Sequence, residues 1–181
     1  MKYGYYVILL ALAISIAGCA TKKSILTSVP QNSNIRLDGK PITIEITDLR
    51  NKTTQKQLRI PTITLPGQKD KVHPALTDYQ RKLINEQILL HFNQSDPELK
   101  VKCTILEGFQ AFTAYAFHER EYVQVDIKIE LLDPESNILE YGTSTAFFEV
   151  KSLDASNEFI NELYHKAIRT AIHDCLIKLA D

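Results

Sequence analysis

Five histidines, three cysteines and a few strand-borne carboxylates are the residues of this chain that could do chemistry. His73, His91, His118, His165 and His173 form no HExxH or HxH spacing, and no cysteine pair stands at zinc-site spacing. His165, Arg169 and His173 recur at four-residue steps, which predicts a polar helix face open to solvent. Ser144 lies in GTSTA rather than in the G-x-S-x-G elbow of a hydrolase. Asp126, Glu130 and Glu140 could approach one another on one sheet face, but charges at alternate strand positions are also what a solvated face looks like. With 6 glycines there is no Gly-rich phosphate loop. An enzyme needs a nucleophile, an acid–base pair or a metal in a pocket. None is signalled, so no catalytic residue, metal or cofactor is expected.

A second kind of chemistry is association through aromatic rings. The stretch GFQAFTAYAFHEREY, residues 108–122, puts Phe109, Phe112, Tyr115, Phe117 and Tyr122 into one hairpin. In a regular strand Phe112 falls opposite Phe109, Tyr115 and Phe117, so core packing accounts for one face only. Rings left exposed mark a partner-binding surface. Alternatively, a second layer or the 52–73 loop covers them.

The elements that position these residues are legible from periodicity. Ile42, Ile44 and Ile46 alternate with polar residues, a half-buried strand ending at Asp48 to Asn51. Residues 52–73 are mixed and carry Pro61 and Pro66, so an irregular loop with at most a short edge strand is expected. Thr77 and Gln80 match a capping box, and Leu83, Ile84, Ile88 and Phe92 follow as the apolar stripe of a helix. Leu99, Val101, Cys103 and Ile105 begin a strand, Tyr122 to Leu132 alternate strictly, and Ile138 to Val150 return after the DPESN turn. Ile160, Leu163, Tyr164, Ala167, Ile168, Ala171, Ile172, Cys175, Leu176 and Leu179 make the buried stripe of a last helix, capped by Asp154 or Ser156. The predicted class is α+β: a mainly antiparallel sheet of about four strands with two helices on one face, in the order strand, helix, three strands, helix.

The N-terminus speaks to location. After Lys2, residues 7–17 form an apolar block too short to span a bilayer, which takes roughly 20 residues, but suited to a secretion signal. It ends in Ile16-Ala17-Gly18-Cys19, which resembles the lipobox of bacterial lipoprotein signal peptides. The resemblance implies cleavage after residue 18 and lipidation of Cys19, and Ala20, in place of an inner-membrane retention Asp, favours the outer membrane. Removing 18 of the 181 residues leaves 163. Residues 19–40 read as the lipidated Cys and a polar tether, with a span of roughly 25 Å as a flexible coil. Residues 41–181 read as one domain. A formal net charge of -1 for the whole chain argues against a nucleic-acid partner, because phosphate contacts need clustered Lys and Arg. The oligomeric state is left open.

With Cys19 consumed by lipid, Cys103 and Cys175 remain, both on predicted apolar faces. In an oxidising compartment they could bridge helix to sheet, or they could stay as buried free thiols.

The order of parts, with Asp48-Leu49-Arg50 closing the first strand, resembles the small outer-membrane lipoproteins of the YajG type and is similar to the LptE-like layout. That resemblance implies a non-enzymatic accessory role beside an envelope protein partner, anchored to the membrane through lipid and facing the periplasm. Asp48-x-Arg50 also reads simply as a strand-ending turn in which Asp caps backbone N–H groups. The alternative expectation is a lipoprotein that holds a lipid or glycan in an aromatic-lined groove.

Overall fold

The computed structural model describes residues 36–153 and 155–180; Cys19, the signal-like block and Asp154 lie outside the described residues. The chain forms β1 (Lys40–Asp48), β2 (Lys69–Val72), α1 (Asp78–Leu89), β3 (Glu98–Ala114), β4 (Glu119–Leu132), β5 (Ile138–Ser152) and α2 (Asn157–Lys178). Both helices start where the sequence marks them. Thr77 and Gln80 exchange side-chain-to-backbone bonds in a capping box, and the Ser156 side chain accepts from the Phe159 N–H. Capping of this kind satisfies donors that a helix start leaves without partners.

The class is α+β, with a mixed, mostly antiparallel sheet of five strands in the order β1-β3-β4-β5 and β2 paired to β3. Two details depart from the expected layout. β1 runs parallel to β3, as α1 lies between them in the chain and returns it in the same direction. The extra strand β2 forms from Lys69–Val72 in the stretch expected to be loop, and pairs with the far half of β3. β1 and β2 thus share one long edge of β3. β5 pairs with β4 along its length and with no other described strand.

One sheet face is dry. Val123, Val125, Ile127, Ile129 and Leu131 of β4 meet Ile160, Leu163, Tyr164, Ile168 and Ile172 of α2 in a single buried cluster. Leu58, from the irregular stretch, joins it fully buried. Leu37 is also tied in: its N–H donates to the His91 carbonyl at 2.7 Å and its carbonyl accepts from Asn93 at 3.1 Å. The fold therefore takes hold of the chain shortly before β1, inside the stretch read as tether.

β3 changes face partway. Ile105 pairs with Ile127 and Glu107 with Asp126, so Leu106 is an unpaired bulge residue. Before the bulge the odd positions Val101, Cys103 and Ile105 point into the core; after it the even positions Gln110, Phe112 and Ala114 do. A one-residue slip exchanges the two faces of a strand.

Candidate functional site

The bulge decides what the aromatic hairpin presents. Phe112 is 1% exposed and belongs to the core, so its expected place on a partner-binding surface is corrected: it packs beneath the sheet. Phe109 and Tyr122 are half-buried on the opposite, uncovered face, while Tyr115 and Phe117 are exposed near the β3–β4 turn.

Register joins Phe109 to Gln124 and Gln124 to Phe147 in one row, and Lys71, Ala111, Tyr122 and Glu149 in the next. Ala111 leaves a low floor between Phe109, Tyr122 and Phe147, and these walls enclose an open groove of about 500 Å³ edged by Lys69 and Lys71. The Lys71 ammonium sits 3.7 Å from the centre of the Phe109 ring, within cation–π range. Phe147 is half exposed, and the sequence reading missed it, because nothing in its own strand pairs it with the hairpin rings. The arrangement offers apolar area with a rim of two lysines and Asp70. It fits an apolar or aromatic partner group.

The carboxylates do not converge. Asp126 accepts from Gln124 and Glu130 from Lys128 on the uncovered face. Glu140 pairs opposite buried Leu131 and so belongs to the other face. Ser144 is buried opposite Ile127. Among the described residues no group of three or more metal-binding side chains gathers.

The histidines of α2 are partly buried against α1 and the turn that follows it, which corrects the expectation of a solvated stripe. His165 lies against the Tyr79 ring at 4.9 Å, and His173 Nδ1 is 2.8 Å from His91 Nε2. His91 Nδ1 lies 2.8 Å from the Gln87 carbonyl oxygen, to which it donates, so Nε2 accepts from His173. Burial pushes the His91 pKa down, the bond to Gln87 pulls it up and nearby His173 pushes it down again, leaving it below the ordinary 6.5.

Cys103 and Cys175 carry free thiols, and both are buried; no bridge joins them in the structure. Burial, helped by the nearby Cys175, pushes the Cys103 thiol up to about 12, far from the thiolate that reacts.

The Asp48-x-Arg50 turn has a larger reach than its local reading. Asp48 accepts from the Arg50 backbone N–H at 3.2 Å, as a capping Asp does. Its carboxylate also takes Arg50 Nε at 2.8 Å and Nη2 at 2.6 Å. Nη1 then donates to the Gly108 carbonyl at 3.1 Å and lies 3.3 Å from the Tyr164 hydroxyl. Burial alone would raise the Asp48 pKa, but the hydrogen bonds and charge of Arg50 outweigh it and hold the carboxyl below its ordinary value. This cluster braces β1, β3 and α2.

No protein-family model matches the chain, and no curated protein matches it. Among solved structures the chain is similar to a provisionally assigned lipoprotein from Caulobacter crescentus CB15. That match has 19% identity and a TM-score of 0.43 over 59% of this chain and 84% of the other. It is also similar to a minor lipoprotein from Acinetobacter baumannii, with 13% identity and a TM-score of 0.34 over 76% of this chain and 87% of the other. Likenesses this distant carry no function across.

Proposed function

We propose that this chain is a lipoprotein, held at the outer membrane through lipid on Cys19 and facing the periplasm. In this reading it works as a non-enzymatic interaction module in an envelope assembly, transport or secretion complex. The observation that carries the interaction reading is the uncovered sheet face, where Phe109, Tyr122 and Phe147 surround Ala111 beside Lys71. Exposed rings are efficient contact groups, because each desolvates a large area with few rotamers to freeze.

The groove is open along the sheet rather than closed, which supports a protein partner over an enclosed lipid or glycan. The β5 edge adds to this. It is 15 residues long, pairs only with β4 among the described strands and contains no proline. Such an edge can accept an extended segment of a partner by backbone hydrogen bonding.

The test has two arms. Metabolic labelling with a radioactive fatty acid should mark the wild-type chain and not Cys19→Ser; an unlabelled wild type overturns the anchor. Crosslinking in the native envelope followed by capture should recover a partner with the wild type and lose it with Phe109→Ser plus Phe147→Ser. Equal capture by that variant, with its circular dichroism unchanged, overturns the groove as the contact surface.

A further inference from the structure

The four most exposed large apolar side chains among the described residues are Phe117 at 89%, Leu153 at 86%, Ile63 at 81% and Leu65 at 69%. They lie far apart in sequence, yet one carboxylate gathers their loops. Glu119, two residues after Phe117, accepts from the Thr64 hydroxyl at 2.6 Å with one oxygen. Its other oxygen accepts from the Ala155 N–H at 2.8 Å. Thr64 stands between Ile63 and Leu65, and Ala155 is two residues beyond Leu153. Gly67 and Gln68 complete the junction by backbone bonds with Ala114. The result is one end of the sheet where three loops meet, each carrying exposed apolar side chains.

Directly behind these loops runs a cationic row. Register places Lys69 beside Thr113, Thr113 beside Arg120 and Arg120 beside Lys151, across four strands; Arg120 is paired with Glu149 at 2.6 Å, so Lys69 and Lys151 carry the row's outward charge. Phe117 lies past the end of β3, in the turn that the Tyr115 N–H closes on the His118 carbonyl, and so stands nearer the tip than Thr113. Tyr115 stands between the two levels, 42% exposed and stacked on His118 at 4.6 Å. Apolar tips, then an amphipathic ring, then cations is the layering of a bilayer surface: acyl boundary, interface, phosphate. A protein interface instead favours a contiguous, closely packed centre. Here the exposed apolar side chains come from three separate loops.

We propose that this end of the domain is a second membrane contact, which dips Ile63, Leu65, Phe117 and Leu153 into the interface of an anionic bilayer while Lys69 and Lys151 meet its phosphates. The inference rests on the envelope reading above. The chain enters the fold at Leu37, beside Phe92, at the opposite end of β3 from this tip. Anchor and tip therefore hold the domain at both ends.

The sequence contains no tryptophan, so Phe117→Trp introduces a single reporter. The full chain, purified with its anchor, is reconstituted into vesicles of phosphatidylethanolamine and phosphatidylglycerol, with or without brominated acyl chains. The reporter's emission should shift to shorter wavelength, and brominated lipid should quench it severalfold more than it quenches a Tyr141→Trp reporter. Adding Lys69→Glu and Lys151→Glu should reduce that quenching on anionic vesicles and leave the circular dichroism unchanged. An unshifted, unquenched Phe117→Trp reporter overturns the proposal, as does a reporter that shifts only when envelope protein is added, which would make the tip a protein contact. Fatty-acid labelling of Cys19 is read separately, so loss of the anchor and loss of the tip contact are distinguishable.

Discussion

Arg50 and Tyr164 stand 114 residues apart in the chain and meet with Nη1 3.3 Å from the phenolic oxygen. The meeting is possible because position 108 is glycine. A Cβ there would collide with the Tyr164 hydroxyl and come within 2.8 Å of Arg50 Nη1. Backbone of β3, the guanidinium and the phenol thus share one small space, and Asp48 holds the guanidinium in it through two charge-assisted bonds.

Gly108→Ala should therefore destabilise the domain, since the Tyr164 ring is packed in the core and cannot swing aside. Arg50→Ala should cost on the order of 2 kcal/mol, by leaving the half-buried Asp48 carboxylate without its partner. Arg50→Lys should recover only part of this, because a single ammonium cannot reproduce the fork. Chemical denaturation measures all three; a wild-type midpoint for Gly108→Ala would contradict the packing described.

The two faces of the hairpin should separate cleanly under mutation. Phe112→Ser removes a fully buried ring and should cost about 3–5 kcal/mol, enough to unfold a marginal domain. Phe147→Ser, on the uncovered face and half exposed, should stay within about 1 kcal/mol of the wild type. Thermal melts compare them directly. Equal losses at both positions would mean that the uncovered face is covered.

The His91–His173 contact predicts a pH dependence. The folded pKa of His91 lies below its ordinary 6.5, so the unfolded chain takes up the proton first as pH falls. The stability tied to this group is fully present above about 6.5, declines as pH drops toward the folded value and levels off beneath it. His165, lowered by its own burial despite Glu162, contributes with the same sign. Denaturation midpoints should fall between pH 7.5 and 5.5, and His91→Gln should flatten part of that fall. An unchanged slope in the variant would remove His91 from the account.

Much of this molecule was legible in one dimension, because the signals involved are local. The Thr77–Gln80 capping box, the alternation of β4 and the ten-position apolar stripe of α2 each follow from residues within a turn or two of one another. They gave the α+β class, the helices on one face and the dry side of β4. The exposure of the rings was not local. A single extra residue at Leu106 exchanged the faces of β3, sent Phe112 into the core and turned Phe109 toward Phe147, a neighbour only through β4. His165 and His173 look solvated on their own helix and meet α1 and the turn after it only once both helices have docked. Glu119 reads as one acid in a turn, and its gathering of three loops depends on strand register. Sequence period determines which side of an element is apolar; which other element comes to that side is decided by packing across distances no local pattern encodes.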